Sequence, residues 1–208
     1  MRRTKEDTEK TRQAILIAAE KLFVTQGFSE TSLEKIATEA GCTRGAIHWH
    51  FVNKNGLLTA LKEKQQTPMQ ELVDYLQTNA DADPLEMLQD MTVKIFVRMD
   101  KESGRRALLR LMMEHEIKII CKIGGEPGER HYHAIHTRLN KIFHIAEEQK
   151  LLNSSWSGDK ATLAFMFMVG GLVREWALGD AGYTMSGEGA DLVITLLQSM
   201  RARESDNR

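Results

Sequence analysis

The chain has 208 residues, 42% of them hydrophobic and 27% charged, which is room for a small domain joined to a larger one. A net charge of −1 excludes a nucleic-acid binder that works by overall basicity, yet residues 1–65 hold 11 Lys and Arg against 8 Asp and Glu while the rest holds 17 against 21. Two cysteines, Cys42 and Cys121, exclude a disulfide framework and offer no CxxC spacing.

Strand-type alternation is nearly absent, prolines number three, and helical periodicity runs almost throughout. The fold expected is all-α, with about nine helices. The first covers roughly residues 9–26 and turns Ile15, Ala18, Ala19, Leu22 and Phe23 inward. Thr31 with Glu34 three residues later reads as a capping box. Leu33, Ile36, Ala37 and Ala40 then recur at i, i+3, i+4 and i+7, one apolar face two turns long. Gly41 ends that helix with a residue that accepts the left-handed conformation of a sharp reversal. Thr43 is the next N-cap, and Ile47 and Phe51 bury one side of the following helix. Two short helices joined in this way form a helix-turn-helix, over about residues 32–51, whose second member enters the major groove.

A fourth helix is expected from near Lys54 to about Asn79, with a kink or break at Pro68. Asp83-Pro84 opens a fifth, as cap and first helical residue, with Leu88, Met91, Ile95 and Met99 inward. A sixth spans roughly 103–122 and stops at Gly124-Gly125-Glu126-Pro127-Gly128. A seventh runs over 129–149, with Ile135, Leu139, Ile142, Phe143 and Ala146 on one stripe. This part of the chain is rich in methionine and aromatic residues, which suits a pocket that repacks around varied small hydrophobic ligands. The expected lining is Met91, Phe96, Met99, Met112, Met113, Glu116, Phe143 and Met166. Glu116 falls about 40° around the axis from Met112, inside the apolar stripe of the sixth helix, so its carboxylate is either structural or a recogniser of cationic ligands.

The last two helices are apolar on every side. Phe165, Val169, Leu172, Val173 and Trp176 in one, and Val193, Leu196, Leu197 and Met200 in the other, exceed what one chain of this size can cover. Gly170-Gly171 in the helix interior is tolerable where another helix approaches closely. A homodimer joined by a four-helix seam is expected. The run Ala161–Val173 is too short to span a bilayer and the charged N-terminus lacks an apolar leader, so a cytoplasmic protein with no membrane segment is expected.

The run Thr43-Arg44-Gly45-Ala46-Ile47-His48-Trp49-His50-Phe51, followed by Asn53-Lys54 and Leu57-Leu58, resembles the TetR family of bacterial repressors. Upstream, Thr11-Arg12, Ile15, Ala18-Ala19, Leu22-Phe23 and Gly27-Phe28 fit the family's first helix, and within the family the sequence is most similar to the AcrR-like branch associated with multidrug efflux. The resemblance is specific over residues 9–69 and architectural beyond them. It implies a DNA-binding domain at 9–69, a ligand-binding and dimerisation domain at 70–208, and a palindromic double-stranded operator as partner. Together with helix geometry it makes Arg44 the reader of a guanine edge, lets Gly45 bring the helix close, and sets Ser32 and Thr43 at helix N-termini toward phosphate. Trp49 and His50 fall on either a structural or a DNA-facing role. Lys54 takes the family's phosphate-binding position by resemblance alone. His48 departs from the family, which usually has tyrosine there, so its phosphate contact passes to an imidazole that can carry charge near physiological pH.

The function expected is a ligand-responsive repressor of a multidrug efflux operon, released by a small hydrophobic inducer, cationic ones included. Within the same class, a sensor of a fatty-acid, bile-like or signalling metabolite is the alternative. A metal hydrolase using Glu114, His115 and the histidines at 131–136 is the alternative from another class. Helical spacing disfavours it, since His131 and His133 lie about 200° apart, His133 and His144 are three turns apart, and only His133 with His136 could chelate. No cofactor and no metal are expected.

Overall fold

The computed structural model describes the backbone of residues 5–102, 104–123, 126–179 and 182–202, and their side chains apart from residues 5, 66 and 115–132. Among the described residues nine α-helices follow in order: α1 Lys5–Gln26, α2 Leu33–Glu39, α3 Arg44–Phe51, α4 Lys54–Thr78, α5 Pro84–Lys101, α6 Arg105–Ile123, α7 Glu126–Glu148, α8 Gly158–Leu178 and α9 Ala190–Met200. A π-helical turn, Met185–Gly189, leads into α9, and an isolated antiparallel bridge joins Leu152 to Arg201. Two compact units result: Met1–Gln65 with Ala107–Met113, and Gln66–Arg106 with Glu114–Arg208.

The first unit is built on the stripe expected of α1. Ile15, Ala18, Ala19, Leu22 and Phe23 are buried with Leu16, and Ile36, Ala37, Ile47, Phe51, Leu57, Leu58 and Leu61 close over them. Leu108 and Met112 of α6 complete this core, so Met112, expected at a ligand pocket, is packed in the first unit. The cap of α2 also differs from expectation. Ser32 is the N-cap, accepting from the Lys35 N–H, whereas Thr31 is buried and donates its hydroxyl to the carbonyls of Leu22 and Gly27. A threonine facing the core satisfies its hydroxyl on the end of α1, and the next polar residue takes over the cap. Gly41 has the left-handed φ of +65° that the reversal into α3 requires.

In the second unit α4 runs unbroken through Pro68. On α5 the buried stripe is Leu88, Thr92, Phe96 and Met99, so Met91 and Ile95 sit beside the inner face and not on it. Asp83 caps α5, accepting from the N–H groups of Leu85 and Glu86, and pairs with Arg201 at 2.7 Å. At the far end Asp100 accepts from the N–H groups of Met185 and Ser186 and from the Ser186 hydroxyl, pinning the π-turn to α5. α7 starts earlier than expected, with Glu126-Pro127-Gly128 forming its first turn, where proline's missing N–H costs nothing. Gly124 and Gly125 lie outside the described residues.

The apolar run taken as Ala161–Val173 is part of a longer helix. α8 has 21 residues and is long and apolar enough to cross a membrane by length and composition, with 33% of its apolar window buried in the protomer. One side of it is core: Ala161, Thr162, Phe165, Met166, Trp176 and Ala177.

Candidate nucleic-acid interface

α3 is eight residues long and positioned from both ends. At its start the Thr43 hydroxyl accepts from the Ala46 N–H; at its finish Val52 adopts a φ of +66° and returns its N–H to the His48 carbonyl. Gly56 makes the corner into α4 tight, since a Cβ there would collide with the Phe51 carbonyl. Ile47 and Phe51 are buried, which turns Arg44, Gly45, His48 and Trp49 outward. Trp49 is 72% exposed, with its ring edge-to-face against His50 at 4.5 Å. A Cβ at Gly45 would meet only the Thr43 hydroxyl, at 3.7 Å, so nothing within the chain demands glycine there.

Two of the expected DNA contacts look different once placed. The Lys54 ammonium donates to the Phe28 carbonyl at 2.6 Å and the Ser29 carbonyl at 3.2 Å, and lies 4.7 Å from the centre of the Phe28 ring. Two of its three hydrogens therefore tie α4 to the end of α1, and the lysine is first a strap within the head. Arg44 pairs with Glu34 at 2.6 Å, an ion pair the spacing of the sequence did not reveal. The Glu34 carboxyl is held below the usual carboxylate range by its own backbone N–H and the Ser32 hydroxyl, and further by Arg44.

His48 gains a definite tautomer. Its Nδ1 lies 2.8 Å from the Val52 carbonyl, an atom that only accepts, so Nδ1 carries the hydrogen. In the neutral ring Nε2 is then an acceptor, unable to donate to a phosphate. If His48 meets the DNA backbone, His48→Tyr, whose hydroxyl is a donor, should raise operator affinity, and an unchanged affinity would make His48 a bystander.

The residues expected to line a pocket mostly fill the core. Phe96, Met99, Phe143 and Met166 are buried among neighbours and Met112 is in the head, while Met113 is partly buried at the end of the segment assigned to the first unit. The Glu116 side chain lies outside the described residues, as do those of His115 and His131. A groove of about 440 Å³ does open along α4 and α5, and Met91 is the one expected residue on it. Leu72, Tyr75, Met87 and Ile95 give it an apolar floor; Glu71, Asp90, Lys94 and Arg98 add charge. The signal was present in the i, i+3, i+4, i+7 spacing of Pro68, Glu71, Leu72 and Tyr75, which was masked by reading Pro68 as a break. Among the described residues no group of three His, Cys, Asp or Glu is placed to hold a metal ion.

The seam residues also divide. Phe165, Trp176, Val193, Leu197 and Met200 are buried inside the protomer, because α7, α9 and the π-turn cover more of α8 than its composition suggested. Val169, Leu172, Val173 and Leu196 remain partly buried and Gly170 exposed, and Leu163, Phe167 and Leu192 are exposed. A Cβ at Gly170 or Gly171 would meet nothing within 4 Å.

Residues 15–61 match the model of the bacterial regulatory proteins of the tetR family. The chain is 29% identical to the HTH-type transcriptional repressor BepR of Brucella suis biovar 1 (strain 1330) over 97% of each chain, and 29% identical to the HTH-type transcriptional regulator AcrR of Shigella flexneri over 95% of this chain and 92% of that one. Among solved structures it is similar to NalD of Pseudomonas aeruginosa, the secondary repressor of the MexAB-OprM multidrug efflux pump, at a TM-score of 0.67 and 28% identity, covering 95% of this chain and 98% of that one. A helix-turn-helix head with an exposed second helix, a helical body and relatives matched end to end agree on one conclusion: the chain is similar along its length to bacterial transcriptional regulators of the tetR family, whose model matches its head.

Proposed function

We propose that the protein is a cytoplasmic, homodimeric repressor of a multidrug efflux operon, released from a palindromic operator by a small hydrophobic ligand. The observation that carries this is α3, anchored by Ile47 and Phe51 and presenting Arg44, His48 and Trp49 on one exposed side. Ser32, Thr43, His50 and Lys54 flank it as phosphate or sugar contacts, Lys54 through the hydrogen left over from its strap. Two such heads on one duplex require a dimer, and the exposed side of α8 and α9 supplies the seam: Leu163, Phe167, Gly170 and Leu192 with Val169, Leu172, Val173 and Leu196 around them. A helix apolar enough to enter a bilayer is then explained by burial against its copy.

The ligand sits in the body, and the α4/α5 groove is the surface that suits it. Its volume falls within the usual range for small-molecule sites. Arg98 is engaged by Glu102 at 2.9 Å, which leaves Glu71 and Asp90 against Lys94 and favours a cation with an apolar body, one face over Tyr75. Ligand stabilises one body conformation over another, and the heads then lose their fit to the half-site spacing; that is coupling between two sites.

Tetraphenylphosphonium should bind at about micromolar affinity, roughly −8 kcal/mol, and release operator DNA. Asp90→Asn should weaken it by about fivefold, the worth of one partly exposed charge pair, while sparing neutral triphenylphosphine oxide. Equal losses for both compounds would remove Asp90 from recognition. Binding without any release of DNA would reject the groove as the inducer site.

A further inference from the structure

Glu34 and Arg44 are ten residues apart in sequence and on different helices, and their side chains meet at 2.6 Å with both more than half exposed. Among the described residues it is the ion pair that joins α2 to α3, as Lys21–Glu39 joins α1 to α2. The pair therefore occupies the side chain to which the operator reading assigns base recognition. We propose that Glu34 is a specificity-determining residue of the DNA-binding head, holding Arg44 back from non-cognate DNA and yielding it only to a guanine. The inference rests on the reading of α3 as the base-reading helix.

The magnitudes favour such an exchange. An exposed ion pair contributes at most about fivefold in an equilibrium constant. A two-pronged arginine–guanine contact discriminates by about 5- to 150-fold, so at the correct base Arg44 gains by leaving. At any other sequence it can only trade one anion, the carboxylate, for another, a phosphate. The carboxylate left behind would then face the DNA backbone with its charge no longer matched. Non-specific affinity comes almost entirely from phosphate neutralisation, and a carboxylate beside the arginine subtracts from that term more than from base reading. The loss falls on the wrong sequences, which is how an unfavourable element produces discrimination.

The test compares wild type, Glu34→Gln, Arg44→Ala and the double variant on an operator fragment and on random-sequence DNA of equal length, across a salt series. Glu34→Gln should raise affinity for random DNA by about three- to fivefold and for the operator by less, so the ratio between them falls. Its salt slope on random DNA should steepen by about one, for one added phosphate contact. With Arg44→Ala already in place, Glu34→Gln should leave the ratio unchanged. Glu34→Ala, which also lacks the carboxylate, should repeat the ratio change if one variant melts early. Equal shifts on both DNAs, or an unchanged slope, would overturn the filter while Arg44→Ala still reduced discrimination. Discrimination undiminished by Arg44→Ala would overturn the filter together with the base-reading assignment beneath it.

Discussion

Phe167→Asp should convert the protein to a monomer and reduce operator affinity by at least about 100-fold. Phe167 is 64% exposed in the protomer, so an aspartate there costs the fold little. In the seam the same carboxylate would be buried without a partner, an expense of several kcal/mol set against each copy of the contact. Affinity for DNA follows, because a second head bound through a dimer acts at an effective concentration in the millimolar range and a separate one does not. Sedimentation and operator titration on one preparation check both halves. An intact Phe167→Asp dimer with wild-type affinity would remove this face of α8 from the interface. Substitutions at Phe165 or Val193 are poorer probes, since both side chains belong to the protomer's own core and their loss would unfold it.

Arg44→Ala should weaken operator binding by roughly 1–3 kcal/mol and flatten preference at one base pair in each half-site. Helix α3 should persist, because its cap is Thr43 and its buried side is Ile47 and Phe51. Titrating a set of operators varied one base pair at a time distinguishes base reading from phosphate attraction. A uniform loss across every sequence would place Arg44 on the backbone.

The head was legible because its signals are local. Apolar residues at helical spacing placed the core of α1 and α2, and a glycine between two short helices placed the turn; these depend on residues a few positions apart. What local reading missed depends on where distant residues meet. Thr31 reads as a cap until its hydroxyl is seen to face the carbonyls of α1, and Lys54 reads as a phosphate ligand until its ammonium is found on Phe28 and Ser29. The Glu34–Arg44 pair joins separate helices and leaves no periodic trace. In the body the same difficulty took another form. Methionine and phenylalanine serve core and pocket equally well, so composition could not tell that Phe96, Met99 and Phe143 are buried in the core, while the charged residues of the groove carried no apolar signal. For α8 and α9 the reading that both are too apolar for one chain survives in the exposed Phe167 and Leu192, but it could not tell which side the protomer covers.

Selection of bound fragments from random double-stranded DNA tests the central claim most directly. The account predicts enrichment of a two-fold symmetric site whose half-sites are separated by about one helical turn or a multiple of it, each with a guanine that Arg44→Ala no longer selects. Enrichment of a single unrepeated element, or no enrichment above the starting pool, would contradict a dimeric operator-reading repressor.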